Sequence, residues 1–355
     1  MKNIKRVPGA NGLTVFLTIA LCLAFWGRGW SSPIPASDQK QGLAVSFKVS
    51  GNLSYLLDGG GDLEKTRKGL EDAVAESRSL GYWKSVTFDW KRPGIHAEAY
   101  VDLIIHLGPR LGVGLGTGYL VSSTQGDLGL YDDYSGTLWG YAYSESQKID
   151  YDRQYRISAI PIRFDIYYTL PLSRTQKWTL WSHAGVGYYF GKLHHQYTYT
   201  GHSEYTETYG SYYSYSDTYD YLGQLTEKAT CNAWGIHGGL GLNFNANRLI
   251  SFGAEVYGRY VNFSNWKGDS TLAEKTTYDY NYGGYYHYQY QYEDYNSKHG
   301  FLWTYEMLGA RNKYCCMWIS DREPAAQGIF NVRKSAINLN ALGIQFFIRL
   351  RFSLI

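Results

Sequence analysis

The sequence predicts an all-β protein, an eight-stranded antiparallel up-and-down transmembrane β-barrel with long extracellular loops and a short helix in loop one. Three observations predict it. Eight segments alternate apolar and polar residues with period two, their connections alternate between long and short, and a secretory-type leader precedes them. The last segment shows the pattern most plainly. Leu342, Ile344, Phe346, Ile348, Leu350, Phe352 and Leu354 fall on one face, and Gly343, Gln345, Phe347, Arg349, Arg351 and Ser353 on the other. Side chains alternate across a strand, so one face suits lipid and the other a polar interior.

The leader carries Lys2, Lys5 and Arg6, then an uncharged apolar stretch from Leu13 to Trp26. This reads as a signal peptide over 1–29, with cleavage at Gly27, Gly29 or as late as Ala36. The stretch is shorter than the ~20 residues of a membrane helix. No later segment is continuously apolar, and mean hydropathy is −0.37, which excludes a helical membrane protein but not a barrel. Residues 1–29 hold four basic and no acidic side chains, so their removal takes the formal charge from +3 to about −1. That balance gives no basis for nucleic-acid binding.

The barrel domain is placed at 42–355. Strand one (42–56) sets Leu43, Val45, Phe47, Val49, Leu53 and Tyr55 against Ser46, Lys48, Ser50 and Asn52. Strand two (95–107) sets Val101, Leu103 and Ile105 against Glu98, Tyr100 and Asp102, and Gly108-Pro109-Arg110 turns the chain into strand three (111–121). Strand four (155–170) opposes Ile160, Ile162, Phe164 and Ile166 to Arg163, Asp165 and Tyr167; a turn over 171–177 leads to strand five (178–191). Strand six (233–245) and strand seven (250–260) share the turn 245–248, and strand eight is the terminal segment. Aromatic girdles are expected at Tyr55, Tyr119, Tyr155, Tyr188, Trp234 and Tyr260 on the loop side, and at Tyr168, Trp178, Phe244 and Phe352 on the turn side. A soluble lipocalin-like barrel inverts this arrangement, because its cavity is apolar.

Within the barrel the sequence places Glu98, Asp102, Asp165 and Glu255 beside Arg163, Arg259, Arg349 and Arg351. Four acids against four arginines predict mutual neutralisation in a lumen that eight strands leave just wide enough for side chains. Gly112, Gly114, Gly116 and Gly118 clear space there. They are no phosphate loop, because neither helix nor lysine follows them. Enzyme chemistry is not expected: His183 and His237 face inward without an activated serine, and symmetry about residue 174 puts His183 beside Asp165 as a structural pair. His194, His195 and His202 have no specific metal spacing. No cofactor and no metal are expected.

In loop one, Asp62–Leu80 reads as an amphipathic helix with Asp62 as N-cap, Leu63, Leu70, Ala73 and Val74 as its apolar stripe, and Gly81 as its stop. Tyrosine is concentrated in two later loops, which hold 18 of the 36 in the chain. Tyr212, Tyr213 and Tyr215 belong to the first. Tyr278, Tyr280, Tyr282, Tyr286, Tyr288, Tyr290 and Tyr292 belong to the second, where Gly283-Gly284 marks a hairpin that would align Tyr280 with Tyr286 and Tyr278 with Tyr288. These segments read either as strands continuing above the membrane, since tyrosine favours strands, or as a contact surface carried on them. Three cysteines follow the leader. A bridge from Cys231 to Cys315 or Cys316 would tie two loops and leave one thiol over; the alternative is three unpaired thiols.

With strands, turns and loops placed, the chain resembles the small outer-membrane barrels of the OmpA transmembrane-domain, OmpX and OmpW type. Gly343-x-x-Phe346-x-Ile348 is similar to the C-terminal signal read by the barrel assembly machinery, although Ala341 replaces a polar residue and Phe352 is not terminal. The resemblance implies a bacterial outer-membrane monomer with both termini periplasmic, in contact with lipid, and a role in adhesion, envelope integrity or minor solute passage. The expected function is a structural or surface-interaction role through the tyrosine loops, with an extracellular protein or glycan as partner. The alternative is a channel for small solutes or hydrophobic ligands.

Overall fold

The computed structural model describes residues 44–353 except 93, 174, 211, 212, 284 and 310–312. The leader, its cleavage region and Tyr212 lie outside the described residues. In chain order the first elements are β1 (Ala44–Leu56), α1 (Asp62–Leu80), β2 (Ser85–Trp90), β3 (Ile95–His106), β4 (Leu111–Leu138), β5 (Tyr141–Pro171) and β6 (Trp178–Tyr209). There follow β7 (Tyr213–Asn245), β8 (Ile250–Ser264), β9 (Lys267–Tyr282), β10 (Tyr286–Leu308), β11 (Lys313–Ser320), β12 (Ile329–Lys334), β13 (Ala336–Asn338) and β14 (Ala341–Ser353).

Eight strands close into a ring by antiparallel pairing: β1, β3, β4, β5, β6, β7, β8 and β14, with β14 returning to β1. The closing register pairs Val49 with Ile348 and Lys48 with Arg349. Closure leaves the ring no unpaired edge. Outward positions are apolar and exposed, among them Phe47, Val101, Leu115, Phe164, Ile236, Val256 and Phe346, whereas Ser46, Lys48, Asp102, Arg163 and Glu255 inside are buried. Outward apolar residues on β5 run from Ile160 to Leu170, about ten residues, or roughly 23 Å along the membrane normal at 45° tilt, which matches the hydrocarbon band of such barrels. Of the expected girdle, Tyr55, Tyr119, Trp234, Tyr260, Tyr168, Trp178 and Phe352 face outward and exposed. Tyr155 does not. It shares the inward parity of Arg163 and stacks on His195 at 4.0 Å.

The short turns are tight: Leu107 N donates to Leu111 O at 2.9 Å, Leu172 N to Trp178 O at 2.9 Å, and Ala246 N to Ile250 O at 3.1 Å. At the opposite end the tyrosine segments continue the strands above the membrane, one of the two expected readings, and the segment between β4 and β5 does the same. β4, β5, β6 and β7 have 28, 31, 32 and 33 residues, far more than a crossing needs, and continue above the barrel as one sheet. Above Gly235, β8 leaves β7, and β9 takes its place from Thr230 upward. β10, β11 and β12 extend this sheet. The tyrosine hairpin forms, but its register is shifted by two from the expected one. Tyr286 pairs with Tyr282, Tyr288 with Tyr280 and Tyr290 with Tyr278, because the three-residue turn is centred one residue later than expected.

Helix α1 has the expected bounds and ends at Gly81, whose φ of 65° suits a left-handed cap. Its N-cap is Gly61, not Asp62. The Asp62 carboxylate is instead spent outside the helix. Arg333 donates to it at 2.5 and 2.6 Å, Ala336 N at 2.7 Å and Thr304 Oγ1 at 3.0 Å, which fixes α1 to β10, β12 and β13. Burial pushes this carboxyl up, but the Arg333 guanidinium and the Ala336 amide outweigh it, so the acid is held below its ordinary value. A depressed pKa in the folded state gives stability that is present above the unfolded value near 4 and lost as pH falls below it. Arg333 is partly exposed, so solvent screening trims the gain. Asp62→Asn should therefore loosen α1 by about 2 kcal/mol at neutral pH, read as roughly 30-fold faster amide exchange over 62–80 with barrel amides unchanged.

All three described cysteines are free thiols, so the bridge from Cys231 to Cys315 or Cys316 is not formed. Cys231 Sγ donates to Ser264 O at 3.0 Å on the strand beside it. Cys315 faces α1, where Thr66 Oγ1 lies 3.9 Å from its sulfur and Gly69 permits the close approach. Cys316 lies on the other face of β11, its thiol pushed up to about 11 by burial. The main apolar core, including Leu56, Trp90, Tyr155, Phe263, Trp266, Leu302, Met317 and Ile319, sits above the polar lumen.

Candidate functional site: a closed polar lumen beneath a tyrosine-faced sheet

Inward-pointing positions on adjacent strands meet across the narrow ring, and glycines opposite them give long side chains room. Gly116 stands opposite Asp102, whose carboxylate fills the space a Cβ would need. Arg163 Nη2 then reaches Asp102 Oδ1 at 2.5 Å, and its guanidinium lies 4.0 Å from the centre of the Tyr100 ring. Arg259 donates to Glu98 Oε1 at 2.8 Å, to Tyr100 OH at 3.0 Å and, through Nε, to Leu339 O at 2.9 Å. Glu98 also accepts from Asn52 and from Tyr100 OH, so its oxygens are fully engaged.

The expected match of four acids to four arginines is only half right. Arg163 and Arg259 pair as expected with acids of the set. Glu255 is taken by Lys48 at 2.8 Å, and Asp165 by His183 at 2.9 Å and His237 at 2.8 Å. Among the described residues Arg349 pairs with no acid; it lies 4.6 Å from the Trp181 ring centre and donates to Ser251 Oγ at 3.1 Å. Arg351 is half-buried near the turn end of the barrel. Lys48 stands on the inward face of strand one, but its pairing with Glu255 of β8 reaches over the intervening strand β14. Strand alternation carries no such information. His194 and His195 point to opposite sides of β6. His195 binds Glu227 at 2.7 Å inside, while His202 pairs with Asp220 at 2.6 Å on the outer side, so the three do not converge.

Above the barrel the sheet has two unlike faces. On the face continuous with the lumen stand Tyr197, Tyr199 and Tyr205 of β6, Tyr213, Tyr215, Tyr219 and Tyr221 of β7, Tyr278, Tyr280 and Tyr282 of β9, and Tyr286, Tyr288, Tyr290 and Tyr292 of β10. Rings on neighbouring strands touch, making a path from Tyr205 to Tyr215 (5.8 Å), Tyr280 (5.1 Å) and Tyr286 (6.4 Å), measured between centroids. Tyr278 meets Tyr219 at 4.5 Å. The other face carries Thr, Ser and charged pairs such as Lys148–Asp150 at 2.8 Å. A shallow groove of about 520 Å³ runs over Tyr278, Tyr280, Tyr282, Tyr286, Tyr288 and Tyr290. Burial and the nearby Asp217 carboxylate raise the Tyr215 phenol, and burial raises Tyr221 to about 12, so these hydroxyls stay neutral. The face thus offers flat apolar rings with neutral donors.

No family model matches the chain, and no curated protein matches it. Among solved structures it is similar to the outer membrane protein OprG from Pseudomonas aeruginosa, at 12% identity and a TM-score of 0.31, covering 88% of this chain and 97% of that one. It is also similar to a major outer membrane protein from Thermus thermophilus (14% identity, TM-score 0.21, 87% and 99% covered). A third is the outer membrane protease OmpT from Escherichia coli (11% identity, TM-score 0.23, 90% and 100% covered). By its own strand pairing and lipid-facing band the chain is an eight-stranded antiparallel transmembrane barrel, and the proteins it is similar to are outer-membrane proteins.

Proposed function

We propose that this protein is a non-enzymatic surface-interaction barrel of the bacterial outer membrane, which binds an extracellular protein or glycan through its tyrosine face. The observation that carries this reading is the segregation of tyrosines to one face of the extended sheet. Tyr278, Tyr282, Tyr286, Tyr288, Tyr290 and Tyr292 remain 42–59% exposed there. Large rings with two side-chain torsions give contact area at low entropic cost, the property that antibody loops exploit. An exposed apolar ladder of this size is the kind of surface that marks an interaction site.

In this reading the leader exports the chain, the barrel assembly machinery inserts it, and it stands as a monomer with its short turns and both ends of the barrel in the periplasm. The position of Ala44 opposite Ser353 at the turn side supports that orientation. The channel alternative, for small solutes or hydrophobic ligands, is opposed by the lumen. Lys48, Asp102, Arg163, Trp181 and Gln345 fill it and are essentially unexposed. Removing Tyr278–Tyr295 tests the proposal, with adhesion of displaying cells to immobilised glycans and matrix proteins as the readout. Binding should vanish while the barrel still folds; undiminished binding would sink the reading.

A further inference from the structure

The geometry points to a divalent transition-metal site inside the barrel, formed by Asp165, His183 and His237. These residues come from three adjacent strands. Asp165 on β5 and His237 on β7 both stand opposite Gly185 of β6, and His183 lies two residues before that glycine on the same face. With no side chain at 185, the carboxylate and the imidazole meet over the strand between them. A Cβ there would come within 2.7 Å of Asp165 Oδ1. His183 Nδ1 and His237 Nε2 lie 2.9 and 2.8 Å from that same oxygen, and all three ligand atoms fall within 4.8 Å of one another. Bonds of ~2.1 Å at tetrahedral angles place ligand atoms ~3.4 Å apart, so the imidazole nitrogens need to move outward from the carboxylate by only ~0.5 Å to ligate a zinc-type ion.

The hydrogen bonding gives a second, independent reason. If both imidazoles donate to Asp165, His183 is left with a lone pair at Nε2. That atom lies 3.3 Å from Glu255 Oε1, itself an acceptor. Among the described residues, His183 Nε2, Asp165 Oδ2 and Glu255 Oε2 are all buried without a hydrogen-bond partner. The three ligand side chains are at most 1% exposed, so bulk solvent does not reach them. An ion at His183 Nδ1, His237 Nε2 and Asp165 reverses the arrangement. The His183 proton then sits on Nε2 and faces Glu255, and His237 Nδ1–H faces Tyr189 OH, 3.5 Å away. Metal-bound histidines are commonly held in this way, the second nitrogen donating to a carboxylate or hydroxyl. Glu255 is meanwhile held by Lys48, which fixes it in place to accept.

Because the site is closed to bulk solvent, the ion would enter as the barrel folds. The test is to refold the full mature chain from urea into detergent with Zn²⁺ or Co²⁺, or with chelator, and to dialyse each against metal-free buffer. Folded chains are then separated by their gel mobility without heating, and metal is counted per chain. The expected result is one ion per folded chain, visible Co²⁺ ligand-field bands, and at least tenfold less metal in folded His237→Ala. Should that variant fail to fold, the native chain alone decides. Folded native protein with no more metal than the chelator control overturns the site. So does ¹⁵N spectroscopy of the metal-refolded native chain showing His183 protonated on both nitrogens, an imidazolium held between Asp165 and Glu255.

Discussion

Arg163→Ala should destabilise the barrel by about 3–5 kcal/mol, measured by urea unfolding in lipid vesicles. The variant leaves Asp102 buried at 1% exposure without its charged partner, and strips the cation from the face of Tyr100. An isolated charge in a closed lumen cannot recover its hydration, so most of the cost is the stranded carboxylate rather than the lost attraction. The double replacement Arg163→Met with Asp102→Leu should therefore regain most of the loss, because it removes the pair and its desolvation together. Arg259→Ala belongs to the same class, since Glu98, Tyr100 and the Leu339 carbonyl all depend on it. A loss below about 1 kcal/mol for Arg163→Ala would mean that water reaches the lumen.

The second large effect is on binding. Replacing Tyr278, Tyr280, Tyr282, Tyr286, Tyr288 and Tyr290 together by Ser should weaken adhesion by roughly 100-fold or more, as expected when at least two aromatic anchors are lost. The same six changed to Phe separates rings from hydroxyls. If stacking carries the contact, the Phe variant retains most of the affinity; if hydroxyl donation carries it, Phe and Ser fail alike. The three opposed pairs on β9 and β10 make either variant structurally mild, because Ser and Phe both keep the backbone ladder. Equal binding by native and Ser proteins would mean that the tyrosine face does not carry the contact.

Period-two alternation in the sequence locates all eight ring strands and the three tight turns between them, while a helical apolar stripe and Gly81 locate α1. The upper sheet was less legible for a physical reason. Its outer face is Ser, Thr, Lys and Asp rather than Leu and Ile, so the alternation that marks a lipid-facing strand is absent above Gly191 and before Tyr155. What remains is tyrosine against polar residues, which suits a strand and an irregular contact loop equally. The replacement of β8 by β9 beside β7 is a non-local choice, and no local pattern specifies it. The candidate site divides similarly. Inward parity placed every acid and arginine of the lumen correctly, but partner choice depends on reach across the ring. Lys48 therefore displaced an arginine at Glu255, and two histidines took Asp165. Asp62 shows the same limit, since a residue with the signature of a helix cap is claimed by Arg333, 271 positions away in the chain.

In the proposed function the barrel is a closed pedestal, and its interactions are made above the membrane. Conductance of the refolded full-length protein in planar bilayers tests this most directly. The packed ion pairs of Lys48, Arg163 and Arg259 predict a folded, inserted protein that is electrically silent at both polarities. Reproducible unitary current steps from the folded protein, absent from protein-free bilayers, would contradict it and make the lumen a solute path.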